Sequence, residues 1–169
     1  MREVIEGERV TLRRLPEARF EEVAERIVAD PQARPWWGGH AESVVRWFCE
    51  GEDVAYLIEL DGHEAGVIVA SEETDPDYRH AGIDITLYSE FIGKGVGGAA
   101  LKTMCRYLFD ERSHHRITID PAAENTRAIT AYERVGFRPV GIMRQYERGD
   151  DGTWHDGLLM DMLRGELAE

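Results

Sequence analysis

The sequence has little cysteine, little lysine and no long apolar run. Only two cysteines, Cys49 and Cys105, occur in 169 residues. They form no CxxC pair, so neither a zinc ribbon nor a disulfide-stabilised scaffold is expected. No apolar stretch approaches the ~20 residues of a membrane span, and the first residues lack the apolar segment of a secretory signal peptide. We therefore expect a cytoplasmic protein that does not act at a membrane.

The chain carries a large excess of acidic residues. Asp and Glu number 33 against 20 Lys and Arg, which gives a formal net charge of −13, and the only lysines are Lys94 and Lys102. Residues 61–80 hold six acids against one arginine. A negative field repels nucleic acid and attracts cationic molecules. We expect a cationic partner and no nucleic acid, although solubility alone is an alternative reason for such a charge.

Length and periodicity predict one mixed α/β domain over residues 1–169. The chain is 43% hydrophobic and 31% charged, which is ordinary for a soluble globular protein long enough to bury its own core. Alternation and helical periodicity predict about seven strands in a mixed sheet and about four flanking helices. The predicted strands are Glu8–Leu15, Val54–Leu60, Ala65–Ala70, Gly82–Tyr88, Arg116–Asp120, Phe137–Glu147 and Trp154–Leu163. The predicted helices are Pro16–Val28, Glu42–Glu50, Gly97–Asp110 and Asn125–Val135, with loops at Trp36–Gly39 and Glu72–Ala81.

A glycine cluster lies between a predicted strand and a predicted helix. It contains Gly93, Gly95, Gly97 and Gly98 around Lys94. Glycines let the backbone approach a ligand closely, and a helix N-terminus presents free N–H groups to phosphate. The phosphate-binding pattern Gly-Lys-Ser/Thr is absent, whereas GxGxxG is present. A dinucleotide fold would need further βα units, which the remaining chain does not supply. A tight turn with no ligand is the alternative.

This loop and a later segment together resemble the GNAT N-acetyltransferase superfamily. The later segment is Asn125-x-x-Ala128-x-x-x-Tyr132-Glu133-x-x-Gly136-Phe137. In that family a loop of the form Q/R-x-x-G-x-G/A binds the pyrophosphate of acetyl-CoA. Ile92 stands at its first position, where the family has Gln or Arg, but the backbone contacts do not depend on that side chain. The resemblance implies the GNAT fold and acetyl-CoA as acyl donor.

A narrower resemblance is to aminoglycoside 6′-N-acetyltransferases. It is carried by Trp36-Trp37-Gly38-Gly39, the acidic segment at Glu72–Pro76, Gly82-Ile83-Asp84, Asp120-Pro121, and Asn125 with Arg127. Related siderophore and lysine N-acyltransferases share several of these segments. The resemblance therefore indicates a branch of the superfamily more firmly than it indicates one acceptor.

The resemblance also implies which residues hold the coenzyme. They are Ile85 and Leu87 on the preceding strand, the loop itself, and Asn125, Ala128 and Tyr132 on the following helix. The loop residues are Ile92, Gly93, Lys94, Gly95, Val96, Gly97 and Gly98. Asn125 alone would also serve as a helix N-cap, and capping is the alternative role for it.

Asp84 is the candidate general base. In the predicted strand, Ile83, Ile85 and Leu87 share one face while Asp84 lies on the other. A carboxylate in a central strand is costly unless it is paired or used, so a structural ion pair is the alternative. The family places a catalytic aspartate here. An ordinary Asp pKa near 3.9 is low for a base acting on an ammonium group, so burial or a water relay must assist, or Asp84 mainly binds the cation.

Tyr132 is the candidate acid, because the family assigns this tyrosine to the departing thiolate. A phenol with a pKa near 10 can protonate a thiolate whose conjugate pKa is near 8.5. A packed helix aromatic is the alternative role. For the acceptor, the resemblance implies that Asp120 is a binding carboxylate, and a turn-forming role before Pro121 is the alternative. The other acceptor candidates are Trp36, Trp37, Glu73, Asp75, Asp84 and Asp156, because flat aromatic rings suit sugars and carboxylates suit ammonium groups. Adjacent His114 and His115 are poorly placed for chelation, and we expect no metal.

The function expected from this resemblance is acetyl-CoA-dependent acetylation of the 6′-amine of aminoglycosides, by a monomer or homodimer. One alternative keeps the enzyme and changes the acceptor to a protein N-terminus, a polyamine or a siderophore lysine. Another is a non-catalytic acetyl-CoA-binding regulatory domain, which only the departure at Ile92 favours.

Overall fold

One eight-stranded sheet organises the part of the chain that the computed structural model describes, which is residues 1–37, 39–49, 53–149 and 151–168. Its spatial order is β1-β2-β3-β4-β5-β6-β8-β7. The β5–β6 pair is parallel and the other neighbouring pairs are antiparallel. The strands are β1 (Val4–Glu6), β2 (Thr11–Arg14), β3 (Val54–Leu60), β4 (His63–Glu73), β5 (His80–Leu87), β6 (Arg116–Ile119), β7 (Arg138–Arg148) and β8 (Trp154–Leu163).

In the described ranges five α-helices cover the sheet: α1 (Phe20–Ala29), α2 (Arg34–Trp37), α3 (Ala41–Phe48), α4 (Val96–Arg106) and α5 (Thr126–Val135). The predicted mixed sheet with flanking helices is confirmed, with eight strands rather than about seven and five helices rather than about four. β1 has three residues, too few to show an alternating pattern. None of the helices in the described ranges is long and apolar enough to cross a membrane.

Several predicted boundaries differ from those observed. α2 occupies part of the predicted Trp36–Gly39 loop, because Pro35 at its second position is tolerated in a first turn. β4 and β5 extend into the predicted acidic loop at Glu72–Ala81. Glu72 remains in a strand because Arg112 and His114 hold its carboxylate, the latter at 2.6 Å. Gly38 and Glu50, which fall in predicted elements, lie outside the described residues.

The two faces of the sheet carry separate cores. Tyr56 and Ile58 of β3 belong to the core under α4 and α5, whereas Leu57 belongs to the core under α1 and α3. Val69 of β4 lies in the second core and pairs with Asp84 of β5. Residues paired across a sheet share a face, so Asp84 emerges on the side of α1 to α3. This places its carboxylate beneath the Trp36–Trp37 segment.

Candidate active site

The glycine loop has the backbone geometry that an anion site needs. Gly93 and Gly95 have φ of +78° and +77°, a left-handed conformation that glycine adopts without strain. Gly95 stands immediately before α4, whose first turn presents N–H groups with no partner inside the helix. The Val96 side chain is buried, so this residue can offer a ligand only its backbone. The loop can therefore hold the pyrophosphate of acetyl-CoA on backbone N–H groups.

β5, the strand before the glycine loop, has an open edge near its end. β5 pairs in parallel with β6 at Ala81 with Ile117 and at Gly82 with Thr118. β6 then ends at Ile119, while β5 continues to Leu87. The two strands therefore diverge after their shared start. The backbone from Ile85 to Leu87 can pair with the amide groups of an extended pantetheine arm, as strand edges do with peptides.

A cavity of about 940 Å³ opens beside this divergence. Its wall combines aromatic rings with carboxylates, which suits a cation bearing flat, partly apolar surfaces. The aromatic members are Trp36, Trp37, Trp47, Tyr132 and Tyr146, and the acidic members are Asp53, Asp84, Asp120, Glu124, Glu147 and Asp151. The basic members are Arg46, Arg148 and His155.

Asp84 and Asp120 both line this cavity. Asp84 lies on β5, and Asp120 comes directly after the end of β6, the neighbouring strand. Burial raises the pKa of Asp84 well above its ordinary value, and the charge of Asp120 raises it further. Burial raises the pKa of Asp120 as well. An ordinary aspartate is too weak a base for an ammonium group. The raised pKa of Asp84 makes it a stronger base and so better suited to this proton transfer.

Tyr132 lines the same cavity from α5. Burial raises the pKa of its hydroxyl, and the charges of Asp84 and Asp120 raise it further. The hydroxyl therefore keeps its proton at neutral pH and is available as a donor. The ring belongs to the buried core beneath α4 and α5, which fixes its direction.

Asn125 both caps α5 and lines the cavity. Its Oδ1 accepts the backbone N–H of Ala128 at 3.2 Å, as expected for an N-cap residue. It is also part of the cavity wall, so capping leaves its amide nitrogen available to a ligand. The glycine loop and the cap thus stand at the starts of the two helices that flank the divergence of β5 and β6.

The two tryptophans differ in how they are held. Trp37 contacts Trp47 edge to face, with ring centroids 4.1 Å apart, and packs against the core beneath α1 and α3. Trp36 lines the cavity and belongs to neither core cluster. Trp36 is therefore the ring that is freer to contact an acceptor.

Three predicted acceptor residues lie outside the cavity wall in the described part of the chain. Glu73 and Asp75 are exposed, and Glu73 accepts the backbone N–H of Asp75 at 2.9 Å. Asp156 accepts the backbone N–H of Gln145 at 2.8 Å, so its carboxylate supports the β7–β8 hairpin. Within the described ranges, no group of three or more His, Cys, Asp and Glu side chains could hold a metal ion.

Sequence reasoning missed several members of the wall. Asp53 precedes β3, Trp47 lies on α3, and Tyr146 and Glu147 lie near the end of β7. The signal that the sequence offers is the pair Tyr146-Glu147 near the end of β7. Their convergence depends on sheet order, because β7 reaches the site only across β8.

Comparison with known proteins agrees with this geometry. YdaF of Bacillus subtilis strain 168, provisionally named a ribosomal N-acetyltransferase, is 27% identical over 176 residues, covering 96% of this chain and 93% of that protein. The aminoglycoside N(6′)-acetyltransferase type 1 of Klebsiella pneumoniae is 30% identical over 130 residues, covering 64% of each chain. The chain therefore spans under two thirds of that second relative. A solved structure of AAC(6′)-Ib with paromomycin and acetyl-CoA has a TM-score of 0.74 and 25% identity, covering 93% of this chain and 94% of that one.

Residues 9–138 match the family described as acetyltransferase (GNAT) domain. This range includes the glycine loop, Asp84, Asp120 and Tyr132, and the loop and open strand edge fit the pyrophosphate and pantetheine of the coenzyme. The chain therefore belongs to the GNAT acetyltransferases, which use acetyl-CoA.

Proposed function

We propose that this protein acetylates the 6′-amine of aminoglycosides, using acetyl-CoA as the acyl donor. The observation that carries the proposal is the cavity beside the coenzyme groove, whose wall holds six carboxylates and five aromatic side chains. An aminoglycoside combines several ammonium groups with sugar rings, and these match the two kinds of wall residue. The aminoglycoside acetyltransferases among its relatives support the same acceptor class.

Asp84 has the properties of a proton acceptor for the attacking amine. It lies in the cavity, and burial with neighbouring negative charge raises its pKa. Acid–base groups are most effective when their pKa approaches the working pH. The acceptor enters as an ammonium ion, Asp84 takes one proton, and the neutral amine can then attack the acyl carbon.

Tyr132, which lines the same cavity from α5, has the properties of a hydrogen-bond donor to the leaving group. Acetyl-CoA supplies a thioester, whose sulfur must leave as the amide forms. The hydroxyl of Tyr132 retains its proton at neutral pH because burial and the charge of Asp84 raise its pKa. In this role it donates a hydrogen bond to the departing thiolate, and the second proton that the nitrogen loses as the amide forms converts that thiolate to the thiol.

Thiol release from acetyl-CoA tests the proposal directly. Kanamycin, tobramycin, spermidine and a peptide with a free N-terminus are assayed in parallel at equal concentrations. We expect turnover with the two aminoglycosides and one added acetyl group, located by NMR on the 6′-nitrogen. Turnover with spermidine or the peptide alone would contradict the proposed acceptor, and turnover with none would contradict the proposed reaction.

A second candidate acceptor is the N-terminus of a ribosomal protein. It is favoured by the similarity to YdaF, which extends over 96% of this chain, whereas that to the Klebsiella enzyme covers 64%. The peptide in the acceptor panel addresses it, because basic N-terminal peptides also suit an acidic cavity.

A further inference from the structure

Tyr146 reaches the cavity through a bulge in the edge strand β7. The register of β7 with β8 pairs Met143 with Gly157 and next pairs Glu147 with His155. Residues 144–146 of β7 therefore oppose the single residue Asp156 of β8. A bulge bends the strand and redirects its side chains, and here it turns the end of β7 towards the cavity.

The structure holds this bulge in place at some conformational cost. Gln145 has φ of +50°, which is unfavourable for a residue with a side chain. Its N–H donates to Oδ1 of Asp156 at 2.8 Å. The carbonyl of Asp156 in turn accepts the N–H of Ala123 at 2.8 Å. One residue of β8 therefore fixes both the bulge and the chain that follows Asp120.

Gly157 provides the surface on which the Tyr146 ring lies. A Cβ placed on Gly157 would lie 2.9 Å from Cδ1 and 3.4 Å from Cγ of Tyr146. Contacts this short occur because Gly157 is buried beneath the ring and has no side chain. Gly157 also bridges to Ala122, two residues after Asp120. The ring thus crosses β8 at Gly157, beside the segment that follows Asp120.

Tyr146 and Asp120 line the same cavity wall, and the hydroxyl of Tyr146 is placed to donate a hydrogen bond to the Asp120 carboxylate. This bond raises the pKa of Tyr146, so the donor keeps its proton, and it opposes the effect of burial on Asp120. The ring is 51% exposed, so it leaves a surface free for an acceptor. The other titratable groups that face the pair are Asp84 on β5, Asp53 before β3, Glu147 on β7, His155 on β8 and Tyr132 on α5.

We propose that Tyr146 is a positioning residue that divides the work of the two carboxylates. Its hydrogen bond keeps Asp120 ionised and directed at the acceptor ammonium, which leaves Asp84 to take the amine proton. Two neighbouring carboxyls in similar surroundings share a proton, and neither then has a fixed role. A donor that contacts only one of them assigns the charge to that one. This inference rests on the proposed amine acetylation.

The test is the Tyr146→Phe variant, which removes the hydroxyl and keeps the ring. With kanamycin B as acceptor, we expect the acceptor KM to rise about tenfold, the effect of losing one hydrogen bond to a charged group. The KM for acetyl-CoA stays unchanged. The acidic limb of the kcat/KM profile moves to higher pH, because a carboxylate without its donor holds its proton more tightly.

Two glycine variants separate the position of the ring from general disturbance of the hairpin. Gly157→Ala displaces the ring and keeps the hydroxyl, so it should change KM and the pH profile in the same direction. Gly141→Ala is the control. Gly141 lies on β7 at a position where an added Cβ meets nothing within 4 Å, so this variant should behave as wild type. An unaltered KM and pH profile in Tyr146→Phe would overturn the inference.

A readout without turnover decides the matter even if the acceptor is different. The carboxyl carbon of Asp120 is followed by NMR against pH in wild-type protein and in Tyr146→Phe, with no substrate present. We expect Asp120 to titrate at higher pH in the variant, and an unshifted titration would overturn the inference. Absence of turnover by wild-type protein with every amine would count against the proposed function and would leave this titration as the deciding result.

Discussion

Replacing Asp84 by asparagine should abolish most turnover while making the protein more stable. The substitution keeps the shape of the side chain and removes its charge and basicity. Loss of a general base costs about 10²- to 10⁴-fold, so we expect kcat to fall by that factor in the thiol-release assay. The Kd for acetyl-CoA, measured by calorimetry, should remain unchanged, because the loop at Gly93–Gly98 binds through its backbone.

The stability effect follows from the raised pKa of Asp84, which burial and the charge of Asp120 cause. An acid whose pKa is raised in the folded state binds its proton more tightly there. Its contribution to the free energy of unfolding is therefore favourable below the unfolded pKa of about 3.9 and is lost as pH rises through the folded value. At neutral pH the ionised side chain destabilises the fold, and asparagine removes that cost.

The size of this effect can be bounded. One unit of pKa corresponds to about 1.4 kcal/mol, and about 1 kcal/mol changes Tm by about 2–4 °C in a chain of this size. We expect Asp84→Asn to raise Tm at pH 7.5 by at least about 2 °C, and the difference to shrink as pH falls towards 4. Thermal unfolding followed by circular dichroism at both pH values measures it.

Asp75→Asn is the matched control. Asp75 lies outside the cavity wall, and its carboxylate accepts the N–H of Asp77 at 2.9 Å, which an amide oxygen can also do. This variant should retain turnover and show no rise in Tm. Wild-type turnover in Asp84→Asn would show that Asp84 is neither the proton acceptor nor the main cation ligand. A lowered Tm in that variant would refute the electrostatic reasoning.

Three further variants test other parts of the site. Tyr132→Phe should lower kcat about 10- to 100-fold with little change in acceptor KM, because it removes a proton donor and keeps the ring; steady-state kinetics measure both constants. Gly95→Ala should raise the Kd for acetyl-CoA about tenfold by calorimetry, since φ of +77° disfavours a side chain and the new Cβ would lie 3.0 Å from Nη1 of Arg9. Trp36→Ala should raise the aminoglycoside KM about fivefold and leave the acetyl-CoA KM unchanged, through loss of ring contact with a cation.

Each of these variants has a control outside the site. Tyr78→Phe changes an exposed tyrosine, Gly62→Ala places a side chain at φ of +79° with open space around it, and Trp154→Ala removes an exposed tryptophan. All three controls should keep wild-type kinetics. Unchanged kcat in the first variant, unchanged coenzyme affinity in the second, or unchanged acceptor KM in the third would contradict the role assigned to that residue.

The features that sequence predicted well are those written in short-range patterns. Alternation in β5 predicts that Asp84 lies on the opposite face of the sheet from Ile83 and Ile85. The structure puts Asp84 on the opposite face from the core that holds Ile83. Glycines next to a predicted helix marked a loop with positive φ. Asn125 was recognisable as a cap because capping involves only the next three residues.

The features that sequence missed depend on packing between distant segments. Tyr146 lines the same cavity as Asp120 because β8 lies between β6 and β7 and because a bulge shifts the register. Neither property has a local signature in the chain. Asp156 is a second example. Its acidic side chain suggested a ligand for the acceptor, whereas in the structure its carboxylate accepts the backbone N–H of Gln145.

The central claim, acetylation of a 6′-amine, is tested most directly by comparing two acceptors that differ at that position alone. Kanamycin B carries an amine at the 6′ carbon and kanamycin C carries a hydroxyl there. We expect thiol release from acetyl-CoA with kanamycin B and a kcat/KM at least about 100-fold lower with kanamycin C, because the nucleophile is absent. Equal turnover of both, or turnover of neither, would contradict it.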